Sequence, residues 1–271
     1  MPGFGHCLTV GALDGSWAKL ERAKAHIDTL RAEISETTEG ELNLPLRRQY
    51  EPEHAAVVWR IESVPEIRDS WGLLVGDALH NLRCALDHLW WQLALKHLGR
   101  EPTKREAKKV QFPIVDASTA WSGHRFLKYI DPEHAAKVEP MQPYHPAPPN
   151  SLNPLYALRE LSNIDKHRVL HVITRLPHEL IFRAPTPEKF HDCYADNPVR
   201  VVFGSSMGGE ARPNDEVFRI HVTPTGQNPD VEVNPNLTAH IAFHDNWNPI
   251  DTLDGIGAQV AIILEAFEPL L

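Results

Sequence analysis

Residues 65 to 98 constrain this chain most. Trp71, Val75, Ala78, Leu82, Ala85, Leu89 and Leu93 recur every three or four positions, which is the period of one helix face. Pro65 stands at an N1-like position and Gly99 at a stop, so one long amphipathic helix is expected. Three further segments carry the same period. Leu20, Ile27, Leu30 and Ile34 mark a helix over about 16–35. Asn153 and Pro154 look like a cap and first residue, followed by Leu155, Leu158, Leu161, Val169, Val172 and Ile173. Asp251 precedes a last helix with Leu253, Ile256, Val260, Ile263 and Phe267 on one side. The helical core therefore spans about 14–36, 65–98, 153–176 and 251–268.

The remainder alternates with a period of two. Leu42, Leu44 and Leu46, then Val57, Trp59 and Ile61, flank Glu51-Pro52-Glu53 and suggest a β-hairpin. Residues 179–183, 199–203, 216–223, 231–233 and 239–244 are strand candidates, separated by Pro, Gly, Asn and Asp. The expectation is one α+β unit over 1–271, a bundle of long helices with an antiparallel β-rich region inserted at about 178–245, before the C-terminal helix. A chain of 271 residues with 42% hydrophobic and 23% charged residues is neither disordered nor a rod, and can bury a core without staples.

Cys7, Cys84 and Cys193 lack both a disulfide framework and paired metal spacing. The N-terminus has no cationic start before an apolar run, so no signal peptide is expected, and the setting expected is a reducing cytoplasm. The apolar segments are too short to cross a bilayer, so no membrane association is expected. A net charge of −9 excludes a broad basic nucleic-acid surface. Local basic stretches remain, above all Lys96, Arg100, Lys104, Arg105, Lys108 and Lys109, which serve either as a solvated loop or as a phosphate contact.

Sixteen histidines are unusual. At about 100° per residue, Asp77, His80, Asn81, Cys84 and His88 share one face of the second helix, with Asp87 at its rim and Arg83 further round. On the third helix Glu160, Asn163, His167 and His171 share a face. Asp165 points to the apolar side, where a carboxylate needs a partner. Arg168 or a basic residue of the second helix is the expected one, and fixing a catalytic His or Arg is the alternative role. Facing helices can assemble a site between them. One candidate is a divalent transition-metal site drawn from His80, His88, Glu160, His167 and His171, because His residues at i and i+4 can reach one ion. Cys84 beside His80 or His88 is a candidate nucleophile or a structural thiol.

Arg83-Cys-Ala-Leu-Asp-His88 is an Arg-x4-His element inside a helix. Here the chain resembles the HEPN superfamily, whose ribonucleases carry Arg-x4–6-His on a helical bundle. The resemblance implies a metal-independent endoribonuclease of defence or toxin type. It would have no cofactor, would act as a homodimer and would have RNA as its partner. Arg83 and His88 would be catalytic, with Asp77, His80, Asn81, Asp87, Asp165 and His167 in support. Arginine would hold phosphate charge and histidine would move a proton. A metal-dependent hydrolase or oxidase and a non-enzymatic binding module are the alternatives.

Overall fold

The computed structural model describes residues 11–38, 42–146, 152–167, 170, 172–177, 182–183, 200–205, 207–221, 234–235, 237–243 and 247–271. The fold is α+β. Its helices are α1 (Asp14–Thr38), α2 (Asp69–Leu98), α3 (Lys104–Ala107), α4 (Ser118–Ser122), α5 (Pro132–Val138), α6 (Pro154–Asp165) and α7 (Pro249–Phe267). The strands are β1 (Leu42–Asn43), β2 (Leu46–Glu51), β3 (Ala56–Ile61), β4 (Val172–Arg175), β5 (Phe182–Arg183), β6 (Arg200–Phe203), β7 (Glu216–His221), β8 (Asn234–Pro235) and β9 (Thr238–Phe243). The chain forms two compact units. One is helical and takes Met1–Arg31, Ser70–Leu170 and Ile250–Leu271; the other takes Ala32–Asp69 and His171–Pro249. Among the described residues, no helix is long and apolar enough to cross a membrane.

In the helical unit, every residue of the α2 stripe is buried, and so are Leu79, Leu86 and Trp90. Each fully buried large side chain contributes about 1.5–3 kcal/mol, so α2 is the centre of this core. Leu253, Ile256, Val260, Ile263 and Phe267 of α7 are likewise fully buried. Gly99 closes α2 in a left-handed conformation with φ 63°, its amide donating to the Leu95 carbonyl at 2.9 Å. Glycine adopts that conformation without a Cβ penalty.

Two helix boundaries differ from expectation. α2 begins at Asp69 rather than near Pro65, which puts a carboxylate in the first turn, where it complements the free amides. α7 begins at Pro249, with Asp251 inside its first turn rather than at its cap. At α6 the expected cap is found, with Asn153 Oδ1 accepting from the Tyr156 amide at 3.0 Å.

The third helix is much shorter than expected. It ends at Asp165, and Val172 and Ile173 lie in β4. Val172, Ile173 and Thr174 are stiff β-branched residues that suit a pleated surface. Burial alternates along β4, and the strand pairs antiparallel with β9, Val172 opposite Phe243.

In the second unit the hairpin forms as β2 and β3, with Leu46 opposite Ile61. Leu42 instead pairs with Ala239 of β9. β3 continues onto β7 and β7 onto β6, giving a four-stranded antiparallel sheet. The early hairpin thus shares one sheet with the late strands β6 and β7, while β1, β9 and β4 form a second sheet. Trp59 stacks on Phe218 across it at 4.6 Å. Four charges form a closed ring on this sheet. Arg60 pairs with Glu51 and Glu216 at 3.1 Å each, and Arg219 pairs with Glu216 at 2.6 Å and with Glu51 at 3.6 Å. The Arg219 hydrogen bond, with Arg60 nearby, holds the Glu216 carboxyl below the usual carboxylate range against its partial burial. The strand candidates at 179–181 and 231–233 lie outside the described residues.

Candidate functional site

A cleft of about 460 Å³ opens in the helical unit. α2 supplies His80, Arg83, Cys84 and Asp87 to it, and α6 supplies Leu158, Arg159, Ser162 and Asn163, with Lys166 at its C-cap. Both sets follow the three- and four-residue spacing that stacks side chains on one helix face. The extended segment Gln111–Ile114 forms a third wall, and His124 and Phe126 a fourth.

Arg83 and Asp87 hold the third wall. Arg83 Nη2 donates to the Phe112 carbonyl at 2.6 Å, and Asp87 Oδ1 accepts from the Phe112 amide at 2.9 Å. The two side chains also pair with each other at 3.2 Å. One ion pair thus satisfies both backbone polar groups of Phe112, which lies outside every strand. The Phe112 ring is fully buried, edge-on to Trp90 at 5.4 Å. Gln142, itself fully buried, does the same work one step along, accepting from the Val115 amide at 3.0 Å and donating to the Pro113 carbonyl at 3.2 Å.

Three positive side chains line the cleft against one carboxylate. Arg83 is committed to Asp87. Arg159 is shared between Asp116 at 3.1 Å and Glu160 at 3.0 Å. Lys166 is exposed and has no ion-pair partner among the described residues. The Ser162 hydroxyl is buried and has no hydrogen-bond partner among the described residues, which is unusual for a folded protein and marks a place where a ligand group can bond.

The imidazoles differ. Phe126 donates its amide to His124 Nδ1 at 3.4 Å, so the neutral ring carries its proton on Nε2. Burial, with Arg125 adjacent, pushes His124 below its ordinary value of 6.5. His80 Nε2 lies 3.5 Å from Cys84 Sγ. Burial pushes the Cys84 thiol up, against smaller opposing effects of Lys19 and Arg83. A protonated thiol is a poor nucleophile, so this contact suits orienting the His80 ring better than thiol attack.

The other expected site residues scatter. His88 is exposed and lines a different cavity, away from Arg83. Asn81 is buried, bonded to the Asp77 carbonyl at 2.8 Å and to Lys19 Nζ at 3.2 Å, and the Asp77 side chain is exposed. Asp165 meets no ion-pair partner among the described residues and packs on Gly76, where a Cβ would stand 2.6 Å from its Oδ1. Arg168 and His171 lie outside the described residues. Because α6 stops at Asp165, His167 sits in the turn beyond it, exposed. Glu160 is occupied by Arg159. Among the described residues, no three of His, Cys, Asp and Glu assemble as a metal set.

The basic run is partly structural. Arg100 grips Glu106 at 2.9 and 3.1 Å, and that pair, with the Thr103 capping box, lowers Glu106 to about 2. Lys96 donates to the Leu270 carbonyl. Arg159, Ser162, Lys166 and His124 were not expected at a site, although the spacing Arg159, Ser162, Asn163, Lys166 displays one face to the eye.

Fold and site together define an α+β protein whose helical unit carries a cation-lined, imidazole-bearing cleft. No protein-family model matches the chain, and neither does any curated protein or solved structure.

Proposed function

We propose that the protein cleaves RNA without a metal and that the cleft is its active site. The observation that supports this is one cavity that gathers His80, His124, Arg83, Arg159, Lys166 and the unpartnered Ser162 hydroxyl. Arginine, lysine and a free hydroxyl suit a phosphate group. Imidazole suits proton transfer near neutral pH.

In this mechanism His80, anchored through Nε2 on Cys84, takes the 2′-hydroxyl proton at Nδ1. The 2′-oxygen then attacks phosphorus, and the bond to the 5′-oxygen breaks. The Lys166 ammonium gives that oxygen a proton. Arg159 and the His124 Nε2–H stabilise the charge that builds on the phosphoryl oxygens. Arg83 acts mainly by holding Phe112 and with it the cleft wall. The products are a 2′,3′-cyclic phosphate and a 5′-hydroxyl.

The HEPN resemblance supplies a rival arrangement, in which Arg83 of one copy works with His88 of a second in a homodimer. Mixing Arg83→Ala and His88→Ala chains separates the two. The rival predicts restored activity, and the cleft mechanism predicts no gain over the His88→Ala chain alone. The test of the function itself is cleavage of single-stranded RNA with EDTA present, with the ends identified chemically. Cyclic phosphate ends support the proposal. Intact RNA, or 5′-phosphate ends, overturns it.

A binding module is the second reading. Arg83, Asp87 and Arg159 already hold protein partners, which favours a rigid recognition cleft. Tight RNA binding with no cleavage would select it.

A further inference from the structure

α2 borders a second cavity, of about 300 Å³, which no step above uses. Gly15 and Ser16 of the first turn of α1 line it, with His88, Trp91 and Gln92 of α2. Ser16 is only 1% exposed, and its hydroxyl has no hydrogen-bond partner among the described residues. A buried hydroxyl left so is unfavourable, and a bound group that reaches it removes that penalty. Gly15 borders His88 closely, since a Cβ there would stand 3.4 Å from His88 Nδ1, an ordinary contact distance.

The chemistry of the lining favours a neutral planar ligand. No lysine or arginine lines the cavity among its described residues. The Asp14 carboxylate lies close by, accepting from the Gly11 amide at 2.7 Å, and a second negative charge there would be repelled. Trp91, half-buried, supplies an indole on which a ring can stack. Gln92, His88 and Ser16 supply donors and acceptors for the edge of that ring. An aromatic platform with polar side chains at its rim is how proteins hold an unstacked nucleobase.

Position agrees with this. The α2 residues of the cleft and those of the cavity are centred about seven residues apart on neighbouring sides of one helix, which is about 10 Å along its axis. We infer that the cavity binds one base of a single-stranded RNA whose scissile phosphate lies in the cleft. The link to cleavage rests on the function proposed above, while base binding at Trp91 stands on this cavity.

The test uses the full chain labelled with fluorotryptophan, with the Trp91 fluorine resonance assigned by Trp91→Phe. Adenosine and uridine, which carry no phosphate, are titrated in. The expected result is a saturable shift of the Trp91 resonance. Ser16→Ala should weaken nucleoside binding roughly threefold to tenfold, and Trp91→Ala about tenfold or more, read by equilibrium dialysis on folded protein. A Trp91 resonance that neither nucleoside moves overturns the inference, as does a Ser16→Ala chain with unchanged affinity. A protein that binds nucleosides at Trp91 but cuts no RNA keeps this site and removes the nuclease proposal. A protein that cuts RNA while Trp91 stays silent does the reverse.

Discussion

The two units differ in what their charged groups leave for a ligand. In the sheet unit, Glu51, Arg60, Glu216 and Arg219 satisfy one another in a closed ring, which leaves those groups nothing to offer a ligand. In the helical unit, the Ser16 and Ser162 hydroxyls are buried without hydrogen-bond partners and Lys166 is exposed without a counter-charge, all among the described residues, and two cavities open beside α2. Groups left with bonding capacity in a cavity are where a ligand gains most. The helical unit, which holds both cavities, is therefore the place to look for chemistry, although the sheet unit too buries one hydroxyl, that of Thr174, without a partner among the described residues.

The largest effect expected from breaking that division is in the sheet. Gly204 follows β6, its amide donating to the Val217 carbonyl at 2.8 Å, and a Cβ there would stand 1.7 Å from the Glu216 carbonyl oxygen. Only glycine allows this approach. Gly204→Ala should cost about 4 kcal/mol in urea denaturation, at the upper end for a backbone clash, without changing RNA cleavage per folded molecule.

Next is the clamp on Phe112. Asp87→Ala leaves the Phe112 amide and the Arg83 charge without their partner. It should destabilise the helical unit by about 2 kcal/mol and also lower activity, because the cleft wall loosens. Loss of activity with unchanged stability would instead make Asp87 a chemical participant. Asn153→Ala, which removes only the α6 cap, should cost about 1 kcal/mol, measurable as a lowered denaturation midpoint.

The pH dependence should also divide. Glu216 titrates lower in the folded state than the ordinary 4.5, so the unfolded chain takes up its proton first. Stability from the ring is present above about 4.5 and is lost as pH falls through the lowered folded value. His124 has the same sign, with its share present above 6.5 and lost as pH falls below it. Arg219→Gln should flatten the first slope and His124→Gln the second, in denaturation measured across pH.

The legible parts of the fold were those with local, continuous patterns. The α2 stripe, the Gly99 stop, the Asn153-Pro154 cap and the α7 face all declare themselves within a few residues. The end of α6 did not. Lys166–His171 contains neither glycine nor proline, and the period of two at Val172–Arg175 acquires meaning only beside β9, about 70 residues later. His80 and Cys84 could be placed on one helix face from spacing alone, with Asp87 at its rim, whereas the same projection set Arg83 further round although it lines the same cleft. The clamp on Phe112 could not, because it joins α2 to an extended segment 25 to 29 residues away. Projecting α6 through His171 also drew attention to His167 and away from Arg159 and Lys166.

The most direct test of the account compares histidines. RNA cleavage is measured with EDTA for His80→Ala, His124→Ala and His88→Ala. The account predicts a loss of a hundredfold or more for His80→Ala, a smaller loss for His124→Ala, and for His88→Ala mainly weaker substrate binding with kcat nearly unchanged. Full kcat in His80→Ala, with kcat abolished in His88→Ala, would contradict it.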